Sequence, residues 1–145
     1  MRLLTSRFTF FKSAENYVSD KTVLLADNEL DFCRLIRQTL GKEGFKVAVA
    51  HTFTLAKLQL DMHDPYIIVM NQHLQDGTAT LFLEKNKLRL ENKHVIIIRS
   101  DSRSAEKKNL KTSRVVDFLS KPFDPDVLSK MVYLAANFTG PDLPH

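Results

Sequence analysis

The sequence has 145 residues but only one cysteine, no tryptophan and four glycines. A single cysteine excludes an intrachain disulfide and suits a reducing compartment, so we predict a cytoplasmic location. We predict that Cys33 is a small buried residue of a helix and not a reactive thiol. No apolar run approaches the roughly 20 residues that a bilayer-spanning helix requires, so no membrane span is predicted.

The N-terminus also lacks the continuous apolar segment and the small-residue cleavage site of a secretory signal. We therefore predict a loosely docked arm over residues 1–20, with a transit peptide or a membrane-surface arm as the alternative. Residues 21–138 are predicted to form one domain and residues 139–145 a tail. The sequence leaves open whether the chain is a stand-alone module or a fragment, and whether it forms a homodimer.

Positive charge is concentrated in one part of the chain. The formal net charge is +4, but residues 85–114 contain ten basic and three acidic side chains. Such a segment suits nucleic acid or an acidic protein partner. It has little aromatic interleaving and no known nucleic-acid-binding motif, so a solvated basic face is the simpler interpretation.

Apolar residues alternate between strand-like runs and helical spacing along the chain. Strands are predicted at Thr22–Ala26, Phe45–Ala50, Tyr66–Met70, His94–Arg99 and Val115–Leu119. The predicted core faces of the helices carry Leu30, Cys33, Ile36 and Leu40; Leu55, Leu58 and Met62; Leu81, Phe82 and Leu88; and Val127, Leu128, Met131, Val132 and Leu134. A weak polar helix is predicted over residues 104–112. Five strands alternating with five helices predict an α/β fold with a doubly wound, five-stranded parallel sheet.

Ligands of doubly wound sheets bind at the carboxyl ends of the strands. One acid and two bases are predicted to converge at that edge. The residues that follow the strands there are Asp27 and Asn28, Asn71, Arg99 and Ser100, and Lys121. Pro122 disfavours helical backbone at Lys121 and helps to direct this lysine inward, although an ordinary loop lysine is the alternative.

Four segments together resemble the receiver domain of two-component response regulators: VLLADNE, IIVMNQHLQDGTA, VIIIRSD and DFLSKPF. The resemblance extends from about Lys21 to Asn137 and implies the flavodoxin-like strand order 2-1-3-4-5. In that family an aspartate after the third strand accepts a phosphoryl group from a histidine kinase. An acidic pair after the first strand helps to bind magnesium, and a hydroxyl group and a lysine contact the phosphoryl group.

The match to this site is incomplete. Asp27 corresponds to the first acid of the pair, but Asn28 stands at the second, and Asn71 stands at the phosphoacceptor position. The resemblance also assigns the phosphate-contact positions to Arg99, with Ser100 one place later, and to Lys121, the proline position to Gln75 and the switch aromatic to Phe118.

These departures change the expected chemistry. An acyl phosphate requires a carboxylate nucleophile, and magnesium prefers a site with one or two carboxylates. We therefore expect no enzyme activity, no cofactor and no metal, but a pseudo-receiver that acts without phosphorylation. The hypothesis is that Lys121 or Arg99 pairs with Asp27 and donates to the amide oxygen of Asn71.

The expected partner is a protein, such as a histidine kinase or a downstream regulator. The expected partner face includes Lys107, Lys108, Lys111 and Phe118. Two alternatives remain open: a conventional phosphoreceiver that uses magnesium, and a nucleic-acid-binding module that uses residues 85–114. An FMN enzyme is disfavoured because ADNELD, after the first strand, has no glycine-rich or hydroxyl-rich phosphate loop.

Overall fold

The computed structural model describes residues 21–100 and 116–137. Its strands are β1 (Thr22–Ala26), β2 (Lys46–Ala50), β3 (Ile67–Asn71), β4 (His73–Leu74), β5 (Gly77–Thr78), β6 (His94–Arg99) and β7 (Val116–Ser120). The helices in these ranges are α1 (Leu30–Lys42), α2 (Phe53–His63), α3 (Ala79–Lys85) and α4 (Pro125–Asn137). The predicted helix over residues 104–112, the arm, the tail and the face residues Lys107, Lys108 and Lys111 lie outside the described residues.

The main sheet has five parallel strands in the order β2-β1-β3-β6-β7. This is the predicted 2-1-3-4-5 order once the antiparallel pair β4–β5 is set aside, so the fold class is confirmed. Strands β3, β6 and β7 follow one another across the sheet. Strand β1 lies between β2 and β3, so the strand order reverses at β1. The carboxyl ends of β1 and β3 flank this switch point, where open α/β sheets bind ligands.

Two hydrophobic layers cover the sheet. On one face, Leu24, Met70 and Ile97 pack against α2 and α3. On the other, Leu25 and Ile98 pack in a cluster that includes side chains of α1 and α4. Strands β1, β3 and β6 are buried on both faces, which explains their nearly unbroken apolar sequences.

The core face of α2 differs from the prediction. The helix buries Phe53, Ala56 and Leu60, whereas Leu58 and Met62 are 54% and 73% exposed, and Leu55 is exposed too. The Phe53 ring stacks on Phe82 of α3 with centroids 5.5 Å apart and contributes to the core. Because α2 is apolar on two sides, helical spacing alone does not identify the buried side.

Smaller corrections apply to the other helices. The predicted core residues Leu30, Leu81, Leu88, Val127 and Leu134 are exposed. The buried residues of the helices include Cys33, Ile36 and Leu40 in α1, Phe82 and Leu83 in α3, and Leu128, Val132 and Ala135 in α4. Which side of each helix is buried therefore depends on the residue at which the helix begins and on the elements against which it packs. Among the described residues, no helix is long and apolar enough to cross a membrane.

Candidate functional site

Asp27 is fully buried at the carboxyl end of β1. Its backbone N–H donates to Ala50 O at 3.0 Å, which ties the end of β1 to β2. Its Oδ1 accepts a hydrogen bond from Glu29 N at 2.8 Å. A carboxylate without solvent needs such donors or a cation. Oδ2 faces Asn71 at the end of β3 and Lys121 after β7.

Lys121 provides the cation. It follows β7, its peptide bond to Pro122 is cis, and its N–H donates to Arg99 O at 2.8 Å. Its Nζ lies 3.3 Å from Asp27 Oδ2 and also donates to Glu29 Oε1. The same ammonium lies 4.0 Å from the centroid of the Phe32 ring. Lys121 therefore bridges two carboxylates above an aromatic face, with 18% of its side chain exposed.

Glu29 was not among the residues predicted for the site. It directly precedes α1, and 62% of its side chain is exposed. The available signal was its carboxylate two residues after Asp27, within the loop that leads from the switch point into α1. The sequence predicted the adjacent pair Asp27 and Asn28 instead, and Asn28 is exposed.

Asn71 presents its amide nitrogen to Asp27. Its Nδ2 donates to Asp27 Oδ2 at 3.3 Å, and its Oδ1 accepts from the backbone N–H of His73 at 3.2 Å. Both contacts fix the orientation of the amide, because the nitrogen faces an acceptor and the oxygen faces a donor. The hypothesis that Lys121 donates to the Asn71 oxygen is wrong, because Lys121 Nζ contacts Asp27 and Glu29, while the Asn71 oxygen accepts from His73.

Arg99 lies away from Asp27, contrary to one form of the hypothesis. Its guanidinium lies 4.8 Å from the centroid of the Phe118 ring, and its Nε donates to Ser120 Oγ at 3.4 Å. Arg99 and Ser120 are register partners on β6 and β7. Side chains alternate along strands, so Arg99 shares the face of Ile97 and Phe118, which α2 and α3 cover. The neighbouring Ser100 is exposed.

The donor set does not fit a resident divalent cation. Within residues 21–100 and 116–137, no group of three or more His, Cys, Asp or Glu side chains is placed to hold a metal. The two carboxylates of Asp27 and Glu29 share the Lys121 ammonium, and the third neighbouring polar group is an amide. Magnesium usually binds through carboxylates, and here the cation between them is already supplied by the chain.

Asp76 fixes the loop after β3 to α2. Its Oδ1 accepts from Phe53 N at 2.8 Å, and its Oδ2 accepts from the Thr54 N–H and hydroxyl, both at 2.9 Å. Partial desolvation alone raises the pKa of Asp76, but these hydrogen bonds outweigh it and lower the pKa below its ordinary value. Asp76 thus satisfies backbone donors at the first turn of α2, where no helical acceptor exists.

Cys33 is buried beneath the same site, as the sequence predicted. Its thiol donates to Asp27 O, with Sγ and O 3.4 Å apart. Burial, followed by the negative charge of Asp27, raises the pKa of the thiol to about 11. The protonated thiol is therefore a packing group that contributes one more hydrogen bond at the end of β1.

A family model for the response regulator receiver domain matches residues 23–133. The chain belongs to this family. Relatives of this receiver domain include the photosynthetic apparatus regulatory protein RegA of Rhodobacter capsulatus, 24% identical over 106 residues that cover 73% of this chain and 58% of the relative. The acid tolerance regulatory protein ActR of Rhizobium meliloti is 24% identical over 74% of this chain and 55% of its own length. The receiver domain described here thus spans little more than half of each of these relatives.

Solved structures support the same fold. The signal receiver domain of a LuxO repressor protein from Vibrio parahaemolyticus superposes with a TM-score of 0.70 at 21% identity, covering 80% of this chain and 89% of that one. The receiver domain of the Francisella response regulator 1452 also reaches 0.70, at 24% identity over 80% of this chain and 96% of the other. At these identities the likeness shows the fold alone.

Proposed function

We propose that this receiver domain signals without phosphorylation and acts by binding a protein partner. The observation that carries the proposal is the contact of Asp27 with both Lys121 Nζ and Asn71 Nδ2, each 3.3 Å from Asp27 Oδ2. A lysine and an amide hold the carboxylate in a closed network of hydrogen bonds.

Asn71 is unsuited to accept a phosphoryl group. Formation of an acyl phosphate requires a carboxylate oxygen as nucleophile, and a neutral amide oxygen is a poor one. In this chain the Asn71 oxygen also accepts the His73 N–H, and the amide nitrogen faces Asp27. The side chain that replaces the phosphoacceptor therefore serves as a hydrogen-bonding bridge between β1 and β3.

The charge distribution disfavours magnesium. A divalent ion beside Asp27 would lie within a few ångströms of the Lys121 ammonium. Electrostatic repulsion between two cations at such a distance is costly in a partly buried site. Lys121 already neutralises Asp27 and contacts Glu29. Asn28 and Asn71 add no negative charge to attract a metal. The lysine thus takes the electrostatic role of the cation.

The network fixes the loops at the switch point in one arrangement. Asp27 is fully buried, and removing its partner from such a pair typically costs about 3–5 kcal/mol. The contact with Glu29 is more exposed and contributes less, about 0–1 kcal/mol. Arg99 holds Phe118 by a cation–π contact at 4.8 Å, which adds a second restraint on β7.

The proposed partner is a histidine kinase or a downstream regulatory protein. RegA and ActR are named as regulatory proteins, which supports a signalling role for this domain. Phe118 is half-buried on the edge strand β7 and lies beside the basic segment that contains Lys107, Lys108 and Lys111 in the sequence. We propose this part of the chain as the partner face, with an acidic surface as its complement.

Intact-protein mass spectrometry after incubation with acetyl phosphate and Mg²⁺ tests the proposal. We expect the mass of the full chain to stay unchanged. The variant Asn28→Asp/Asn71→Asp, which restores both acids, is the positive comparison, and Asn92→Asp on an exposed loop is the control for added charge. A hydroxylamine-sensitive mass increase of one phosphoryl group on the unaltered chain would contradict the proposal and establish the conventional phosphoreceiver.

A further inference from the structure

The outward side of α2 is unusually apolar for a surface helix. While Phe53, Ala56 and Leu60 face the core, Leu58 and Met62 are 54% and 73% exposed. Leu55 and Leu58 lie one turn apart, and Met62 follows one turn later. A second apolar side on one helix, in addition to the side in the core, is typical of a helix that is covered by another molecule.

This apolar side borders a groove between α2 and α3. The groove encloses about 450 Å³, which is within the range of ligand-binding clefts. Leu58 and Leu81 stand on its two walls, and the stacked rings of Phe53 and Phe82 line it as well. Both leucines are about half exposed, so the groove offers apolar contact without rearrangement of the core.

The charged side chains that line the groove leave a positive edge. They are Lys57, Lys85 and Asp76. Asp76 is engaged by the first turn of α2, and Lys57 pairs with Asp61 at 2.6 Å. Within residues 21–100 and 116–137, Lys85 forms no ion pair, so its charge is available to an acidic group at the α3 side.

We propose that the α2–α3 groove docks an amphipathic helix of a partner protein, with apolar side chains against Leu58 and Leu81 and an acidic side chain beside Lys85. In helix-in-groove recognition, an amphipathic helix lays its apolar side into a hydrophobic groove. A cation at the edge of the groove can then pair with an acidic side chain next to that apolar side. This surface lies on the sheet face opposite α1 and α4, and its use does not depend on the chemistry at Asn71.

The probe is a fluorescein-labelled designed peptide with leucines on one side of a helix and glutamates beside them, titrated with the full chain and followed by anisotropy. We expect saturable binding that weakens at least tenfold in Leu58→Ser and in Leu81→Ser. Leu134→Ser is the matched control, because Leu134 on α4 has the same exposure as Leu58, 54%. Its affinity is expected to equal that of the unaltered chain.

The role of the Lys85 charge is tested by charge reversal on the protein and on the peptide. In Lys85→Glu, the glutamate peptide is expected to bind more weakly and a peptide with lysines in place of the glutamates more tightly. Circular dichroism and urea unfolding verify that each variant is folded.

Four results would overturn the proposal. The first two are the absence of saturable binding and an equal loss of affinity in Leu134→Ser. The third is a dimer in sedimentation that Leu58→Ser dissociates. The fourth is a gain of affinity in Phe10→Ser/Phe11→Ser, which replaces two aromatic residues of the predicted N-terminal arm. The third result would assign the groove to a second copy of the chain, and the fourth to the residues of its own N-terminus.

Discussion

Lys121 Nζ lies 3.3 Å from Oδ2 of the fully buried Asp27, at the end of the sheet where the strand order reverses. The two residues are 94 positions apart in the sequence, and their contact joins the ends of β1 and β7. Because Asn71 donates to the same oxygen, the contact also includes the central strand β3.

Replacing Lys121 by methionine is expected to destabilise the protein by about 3 kcal/mol, because Asp27 would remain buried without its cation. Urea unfolding at neutral pH measures the difference. Lys130→Met is the matched control, since Lys130 is exposed on α4. In Lys121→Met/Asp27→Asn, we expect part of the lost stability to return. Equal stability of the Lys121→Met variant and the unaltered chain would show that the pair is not a structural element.

Replacing Asn71 by aspartate is expected to destabilise the domain, because two carboxylates would then face each other where an amide now donates at 3.3 Å. Like charges raise the pKa of such a pair in the folded state above the unfolded value. The folded state then binds more protons, so the destabilisation is largest at neutral pH, shrinks as the pH falls through the raised folded-state pKa, and is absent below the unfolded value of about 3.9. Urea unfolding across this pH range measures it, with Asn92→Asp as the control. A loss that does not depend on pH would point to packing instead of charge.

Replacing Asp76 by alanine is expected to free the first turn of α2 and cost about 1 kcal/mol, the usual effect of a lost helix cap. The amide protons of Phe53 and Thr54 should then exchange faster, as hydrogen exchange measures. Because the folded-state pKa of Asp76 is lowered, its contribution is present above the unfolded value of about 3.9 and is lost as the pH falls through the folded pKa.

Asp31→Ala is the control for this prediction, since Asp31 also lies in a first helical turn but its side chain is 98% exposed. If both variants were equally stable and their α2 amides equally protected, Asp76 would have no capping role.

The Cys33 thiol is expected to resist alkylation in the folded protein. Its pKa of about 11 leaves little thiolate at pH 8, and burial blocks access. Labelling with a chromogenic disulfide should therefore proceed only through unfolding and speed up in step with added urea. A rate in native buffer close to that of free cysteine would contradict the placement of this residue below Asp27.

Much of the fold could be predicted from the sequence. The apolar runs that became β1, β3 and β6 indicated strands buried on both faces, and the alternation with helices indicated a parallel sheet. The edge that carries Asp27, Asn71 and Lys121 followed from that sheet, because parallel strands end on the same side. The resemblance to receiver domains supplied the strand order.

Other features depended on three-dimensional packing. The buried side of α2 was predicted wrongly because leucines occur on both sides of that helix. One of the outward leucines, Leu58, lines the proposed groove. The direction of Arg99 depends on its register with Ser120, which spacing does not determine. The contact of Glu29 with Lys121 requires the turn into α1 to bring it within reach of β7.

The most direct test of the account is a titration of the ¹⁵N-labelled full chain with Mg²⁺, followed by the amide resonances of Asp27, Asn71 and Lys121. If the Lys121 ammonium takes the place of the metal, these resonances will not shift in a saturable way up to millimolar Mg²⁺. The same titration of Lys121→Met/Asn28→Asp/Asn71→Asp should then show binding. Saturable shifts centred on Asp27 in the unaltered chain would contradict the account.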